Sequence, residues 1–513
     1  MPRPTVGTVG DLDGGRRRTL LRDPVVLACA VLAVGVRLVA VARPLGPDEA
    51  GYLAVGRQWG SAGTSLYGDY WVDRPPLLVG LFRLAALAGG TVPLRLLGCL
   101  AVVVSILAVA RAAGSAGGPP AARVAAIVAG ALLVTPMTGA LEVDGELLAA
   151  PFIAVSLAAA LEALAVVPRR RAVTASVLCG ASAVAAALVK QNMVDGLVMV
   201  LALAVGLRAG GHRRFARPVR RLVAGTVVGG LLTAGLVAAW TAAHGTSVPQ
   251  VLWAMYPFRL EASRAIAAHP SAGALGRIQG LVANAAGSGL VVLAGTAAVL
   301  VTRRGPSWRP ASGDPTGPPP RVVTAALLVV AGYGAVSIAM GGNSWLHYLL
   351  EPVAPLAVAL AVAAASLPRT TRAVAGLVVV SAGLALVGGL QPHGDGADRL
   401  GAEIGAVSRP GDSIVTGFGH AQVTSVSGLP SPYPYLWSLP AHVLDPHLRL
   451  LDRVLAGRRA PTWFVLYSSP GPRSWTARTQ HELDLRYHEV DDVSGHLVYL
   501  RDGLHRAPPV PSA

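Results

Sequence analysis

PVVLACAVLAVGVRLVAVARPLGPDEAGY, residues 24–52, carries the reading of the fold. Pro24–Val41 is apolar on every side and holds a single charge, Arg37. A helix buried against one soluble core keeps a polar face, whereas a run apolar all round belongs in a membrane. The run ends in the turn formers Gly46-Pro47, followed at once by two acids, Asp48 and Glu49. Similar runs recur at 95–112, 121–140, 146–167, 172–190, 193–208, 219–241, 281–302, 321–340, 346–367 and 371–390. A span needs about 20 apolar residues, so the pattern predicts about eleven spans. The stretch 76–90 is shorter, starts at Pro75-Pro76 and reads as an interfacial or re-entrant helix.

Composition agrees. The 513 residues are 53% hydrophobic and 14% charged, against roughly 25% charged in soluble domains, which excludes a soluble domain and a disordered chain. Net charge is +16, but aromatics are 5% and the bases cluster between apolar runs. That is charge flanking membrane spans, not a nucleic-acid surface. Cys29, Cys99 and Cys179 all lie inside apolar runs, with no disulfide framework and no zinc spacing. Arg16-Arg17-Arg18 before the first run leaves a twin-arginine signal as the lesser alternative to an uncleaved first span.

The loops give sidedness. Arginine collects at 16–22, 111–123, 169–171, 208–221, 303–304 and 369–372. The alternate connections, 43–94, 141–145, 191–192, 242–280 and 341–345, are poor in bases and hold several acids. The positive-inside rule then puts the N-terminus in the cytoplasm and the C-terminus outside the plasma membrane. The expected organisation is a cytoplasmic segment 1–23, a transmembrane region 24–390 with its outer loop 43–94, and an extracytoplasmic α/β domain 391–513. In that domain Ile414–Thr416, Trp463–Tyr467 and His496–Leu500 read as strands, and 396–407 and 441–456 as helices. The Pro/Gly-rich 304–320 reads as a flexible cytoplasmic loop.

Acids are scarce, and they gather on the outer side: Asp48, Glu49, Asp69 and Asp73 in the first outer loop, then Glu142, Asp144 and Glu146, with Asp195 and Glu351 later. Charge near hydrocarbon is costly and tends to be functional. Asp48 begins a helix, where it serves either as a cap or as a general base. Asp73-Arg74 immediately precedes Pro75-Pro76-Leu77-Leu78 and is either a surface ion pair or a phosphate contact. Lys190 is the only lysine in the chain. It either snorkels or presents a compact ammonium to a lipid phosphate. Asn343-Ser344-Trp345-Leu346-His347-Tyr348 sets polar and aromatic groups at an outer helix start, with His347 more often hydrogen-bonded than a metal ligand.

The acidic pair after the first span, the Pro-Pro-Leu-Leu motif some 25 residues on and the acidic second outer loop resemble the GT-C glycosyltransferases. The nearest branch is the polyprenyl-phosphate-sugar-dependent one, related to protein O-mannosyltransferases and to the aminoarabinose transferases of lipid A. The likeness covers most of the membrane region and is strongest over 43–150. Arg409-Pro410-Gly411-Asp412 before a strand also looks like the outer domain of actinobacterial relatives. The resemblance implies an acceptor-activating carboxylate at Asp48, a phosphate- or metal-contacting pair at Asp73 and Arg74, and a further site acid at Asp144. Around these stand Glu49, Glu146, His347 and Tyr348, with Lys190 beside Arg74 on the donor phosphate. The aminoarabinose branch usually has Glu-Lys before the prolines. Asp73-Arg74 departs from it and leaves metal use and the donor sugar open.

The expected partners are a polyprenyl-phosphate-sugar donor, membrane lipid and an envelope protein, lipid or glycan acceptor, with no nucleotide cofactor and a divalent metal left open. The expected chemistry is inverting transfer. The rival is a transporter or lipid flippase, which places ionisable groups near the bilayer midplane. Here the middles of the spans are nearly free of charge.

Overall fold

The computed structural model describes residues 22–268, 273–303, 317–364, 368–389, 396–417, 419–467, 476–493 and 496–509. Most of segment 1–23 and of loop 304–320 lies outside them. The chain forms two compact units. The first takes Met1–Val41, Arg95–Leu236 and Ala272–Leu390, and the second Ala42–Leu94, Val237–Ser271 and Gln391–Ala513.

The first unit is helical. Among the described residues seven helices are long and apolar enough to cross a membrane, or eight if the helices Ala274–Gly287 and Leu290–Thr302, bent by 58°, form one span. The expected eleven is not reached by this measure, for two physical reasons. Helices Pro24–Val39 and Asp195–Ala209 have 16 and 15 residues, short of a full span. The runs 95–112 and 121–140 form two helices that follow one another within Thr91–Leu132, parted at the non-helical Gly118, so that by length they count as one. Gly118 takes φ 77° ahead of Pro119 and Pro120, so the chain bends there without a loop. Exposed Leu32, Leu231 and Val387 give the unit an apolar exterior suited to lipid.

Glycine sets the closest packing. A Cβ on Gly180 would lie 1.9 Å from the Thr226 carbonyl oxygen, and one on Gly229 2.0 Å from that of Val177. Helices Arg169–Val189 and Ala216–Ala243 therefore touch backbone to backbone, a contact only small residues permit. At the end of helix Gly145–Leu164, Glu162 takes both Arg111 and Arg171 at 2.5 Å.

The second unit holds the segments that the sequence reading expects outside the membrane. Helix Pro76–Leu87 has 12 residues and is too short to cross, as the sequence predicts. The C-terminal part builds a four-stranded sheet: β1 Ile414–Gly417, β2 Trp463–Leu466, β3 Tyr487–Val493 and β4 His496–Arg501. The order is β1-β2-β4-β3, with β1 and β2 parallel and the other pairs antiparallel. Both faces are covered. Ile414, Trp463, Val465 and Val498 pack with Leu400 and Ile404 from helix Ala397–Val407. Val415 and Phe464 pack with Leu451, Leu455 and Leu483 on the other face. The three expected strands and the helix at 396–407 are present. Segment 441–456 is two helices, Ser438–Leu444 and Arg449–Ala456. Strand β3 was not expected: an edge strand reading Tyr-His-Glu-Val-Asp-Asp-Val carries the charges that keep edges soluble and hide their alternation.

One ion pair, between the partly buried Arg506 and the buried Asp412, ties the domain's end to its core. Arg506 donates to Asp412 from Nε at 2.8 Å and from Nη2 at 2.6 Å, while Asp412 also accepts from Arg409 N–H and Thr462 Oγ1–H. These donors, Arg506 first, hold the Asp412 carboxyl below its ordinary value despite burial. Asp412→Ala removes the acceptor of these hydrogen bonds and is expected to cost about 1–3 kcal/mol, read by chemical denaturation followed through tryptophan fluorescence.

Candidate active site

In the second unit Asp48 and Arg74, sequence-named residues of loop 43–94, come together at Tyr52. Helix Pro47–Gln58 starts at Gly46-Pro47, and proline at the first turn is well placed there. Asp48 is then its second residue. Its carboxylate accepts from Tyr52 Oη at 3.1 Å on Oδ2 and from Trp437 Nε1 at 2.9 Å on Oδ1. Tyr52 in turn accepts from Arg74 Nε at 2.8 Å. A guanidinium, a phenol and a carboxylate are thus joined in one line of hydrogen bonds. The helix N-terminus adds favourable charge for the anion.

Glu49 has a different place from the one expected of it. It is buried, and its Oε2 accepts from the Gly46 N–H at 3.0 Å. The third residue of a helix reaches back to its own start, so Glu49 does the capping and Asp48 is relieved of it.

Asp73 is buried between two arginines. Arg74 Nη1 meets Oδ1 and Arg259 Nη1 meets Oδ2, each at 2.8 Å. Burial would raise this carboxyl, but Arg74 and Arg259 together hold it below its ordinary value. With both oxygens on guanidiniums, Asp73 fits an arginine-positioning role better than a metal ligand. Tyr67, fully buried, donates to the Arg74 carbonyl at 2.6 Å and fixes the backbone before the two prolines.

Three residues of this group escape the sequence reading. Arg259, on helix Pro257–Ala268, lies 186 positions from Asp73 with no motif around it. Trp437 lies 389 positions from Asp48. Gly51 has a reason visible only in space: a Cβ there would sit 2.3 Å from the Trp437 ring. Loop 43–94 and the C-terminal segment are further joined by Trp71 N–H to the Pro434 carbonyl and by Ser431 N–H to Tyr70 Oη, at 3.0 and 2.9 Å.

The other five sequence-named residues come together in the first unit. Asp144 caps helix Gly145–Leu164, its Oδ1 accepting from Leu147 N–H at 3.2 Å. Its Oδ2 lies 2.9 Å from His347 Nδ1. Glu146 takes Lys190 Nζ, and His347 Nε2 stands 3.9 Å from the same carboxylate oxygen. Lys190 also lies over the Tyr348 ring, 4.8 Å from its centre. Gly139 permits the arrangement: it has φ +66°, and a Cβ would meet the His347 N at 2.7 Å. Beside this cluster Asn192 Nδ2 donates to Ser337 Oγ at 2.7 Å, and Ser337 donates to Glu351 at 3.1 Å.

Glu142, Asp144 and His347 bring one ligand atom each within 4.8 Å of one another. Two carboxylates and an imidazole suit a divalent cation. Its first contest would be with the Asp144–His347 contact already made.

No protein-family model matches the chain, and no curated protein matches it. Solved structures do. The Archaeoglobus fulgidus oligosaccharyltransferase, in complex with Zn and sulfate, is similar over 86% of this chain and 67% of its own, at 13% identity and a TM-score of 0.52. ArnT from Cupriavidus metallidurans bound to undecaprenyl phosphate aligns over 92% of this chain and 97% of its own, at 17% identity and a TM-score of 0.49. Its apo form aligns over the same shares at 18% identity and a TM-score of 0.46. The oligosaccharyltransferase likeness and the helices together show the fold: an α-helical polytopic membrane protein of the GT-C type, with a small α/β domain at the C-terminus.

Proposed function

We propose that this chain is a membrane glycosyltransferase that moves a sugar from a polyprenyl-phosphate donor to an envelope protein, lipid or glycan, with inversion. The observation that carries the reading is the line Arg74–Tyr52–Asp48. An acid and a base are held by one phenol at the start of a helix that opens an outer loop.

Asp48 acts as general base. The acceptor hydroxyl oxygen forms a bond to the anomeric carbon while its proton passes to Asp48. The bond from that carbon to the phosphate oxygen breaks, and the electron pair leaves with the phosphate. Arg74 stabilises the charge that gathers there, an effect worth most when the group is already positioned. Asp73, Arg259 and Tyr67 do that positioning. Trp437 holds the second oxygen of Asp48, so the free lone pairs point in a fixed direction. Because the hydroxyl attacks from the face opposite the phosphate, the anomeric centre inverts.

The test is transfer itself: purified protein with labelled polyprenyl-phosphate sugars and a membrane extract. Sugar appearing on an acceptor supports the reading. Movement of lipid across the bilayer without transfer would replace it with the flippase.

The proposal also requires the second unit to face outside. In intact cells a membrane-impermeant thiol reagent is expected to label Ser263→Cys and Leu485→Cys, both exposed positions, but not Arg213→Cys. Labelling only at 213 would invert the topology and remove the outer-face donor.

A further inference from the structure

At the far end of the same helix, the second unit has a polar cavity that the chemistry above does not use. Its volume is about 360 Å³, and it is lined by Gly60, Ser61, Ser65, Arg83, His244 and Thr246 among others. Asp48 and Gln58 are separated by ten helical residues, about 15 Å at 1.5 Å each, so the cavity is a place apart from Asp48.

Its walls are built from turns that close tightly. Trp59 Nε1 donates to Thr246 Oγ1 at 2.7 Å, which fixes the 245–246 turn against the helix end. A Cβ on Gly56 would lie 2.6 Å from the Arg83 backbone N, so helices Pro47–Gln58 and Pro76–Leu87 meet through that glycine.

The charge in the cavity is positive and unbalanced. Arg83 is half-buried, and its Nη1 donates to the carbonyls of Gly56 (at 3.2 Å) and Trp59. Among the described residues nothing is bonded to its Nε or Nη2. Those two N–H groups form one edge of the guanidinium, the edge that grips two phosphate oxygens at once. His244 shares Nδ1 with the Trp240 carbonyl at 2.9 Å, which leaves Nε2 for a ligand. No carboxylate lines the cavity. The nearby acid, Asp69, has Oδ2 engaged by Ser61 Oγ–H at 3.1 Å.

The setting is interfacial. Next to Arg83 the same short helix exposes Leu84 and Leu87, at 58% and 69%, and it cannot cross a bilayer. An arginine at that level meets lipid headgroups.

We propose that the Arg83–His244 cavity binds an ionised phosphate group, carried either by an anionic phospholipid headgroup or by free phosphate, at a site separate from the one that holds Asp48. The Arg83 Nε–Nη2 edge takes two oxygens and the Ser65 and Thr246 hydroxyls donate to others; His244, whose Nδ1–H is spent on the Trp240 carbonyl, donates from Nε2 only as imidazolium.

The experiment uses the full-length protein in mild detergent and reads bound lipid by native mass spectrometry, with phosphatidylglycerol and phosphatidylcholine offered together. A second arm adds inorganic phosphate and reads thermal stability. Arg83→Ala removes the fork, and Ser61→Glu sets a carboxylate at an exposed wall position, at the loss of the Ser61–Asp69 contact. Each is expected to lower anion retention by about tenfold or more. Preferential phosphatidylglycerol retention that phosphate does not displace assigns the lipid headgroup. Displacement and stabilisation by phosphate alone assign the free anion. Equal retention of both lipids with no response to phosphate overturns the proposal, as does anion binding unchanged in the variants. If Arg83→Ala fails to fold, because it also ties two helices together, Ser61→Glu alone decides.

Discussion

Asp48→Asn protein is expected to fold, insert and bind donor, yet to transfer sugar about 10²–10⁴ times more slowly than the parent, the usual cost of a lost general base. The substitution is clean. The helix start is served by Glu49, so Asp48 is not needed as a cap. Asparagine keeps the oxygen that Trp437 Nε1 approaches, and it keeps the shape. It loses a proton acceptor and an anionic charge at a helix N-terminus, worth about 0.3–1 kcal/mol in stability. Thermal unfolding should therefore move little while turnover collapses. Transfer at the parent rate would place the base elsewhere, and Asp144 would be the next residue to test.

Arg74→Ala is expected to lower turnover about 10²–10³-fold, the range seen when one positioned donor to a developing anion is removed. The loss should fall on donor use more than on acceptor use. Folding should survive, because Asp73 keeps Arg259 at 2.8 Å and is not left as an uncompensated buried charge. The two arginines hold Asp73 below its ordinary value against burial, so its contribution to stability is present at neutral pH. That contribution is lost only as pH falls below the ordinary aspartate value of 3.8. In Arg74→Ala only Arg259 opposes the effect of burial, so the acid-linked loss should be smaller and should be complete at a higher pH. Arg74→Lys keeps the charge but not the fork, and partial activity there would show that geometry as well as charge is required. Unchanged kcat and donor KM in Arg74→Ala would reduce Arg74 to a structural partner of Asp73.

Much of the helical architecture was legible, because an apolar run of span length leaves few alternatives to a membrane helix. The number of spans was not. Helices of 15 and 16 residues fall below the length a span requires, and the two helices expected at 95–112 and 121–140 follow one another with only a break at Gly118 between them. In the C-terminal α/β domain, the strands at 414, 463 and 496 announced themselves through short apolar runs. Strand β3, an acidic edge, could not.

The candidate site divides the same way. Local motifs exposed Asp48, Asp73 and Arg74, because an acid after a span and an acid–base pair before two prolines are unusual. Lys190 stood out as the only lysine, and the structure gives it Glu146 and the Tyr348 ring as neighbours. Arg259 and Trp437 were invisible because their partners are 186 and 389 positions away, and no periodicity links residues across such distances. Glu49 shows the opposite error. Adjacency to Asp48 suggested shared chemistry, but one helical step separates a residue facing Tyr52 from one that caps.

The most direct measurement gives the purified protein a labelled polyprenyl-phosphate sugar with the acceptors of its own envelope, and determines the anomeric configuration of the product. The account predicts label on an acceptor with configuration opposite to the donor's, no transfer in the absence of the lipid phosphate, and a product all but lost in Asp48→Asn. Retained configuration, or equal transfer by the parent and Asp48→Asn, would contradict a single base acting at Asp48.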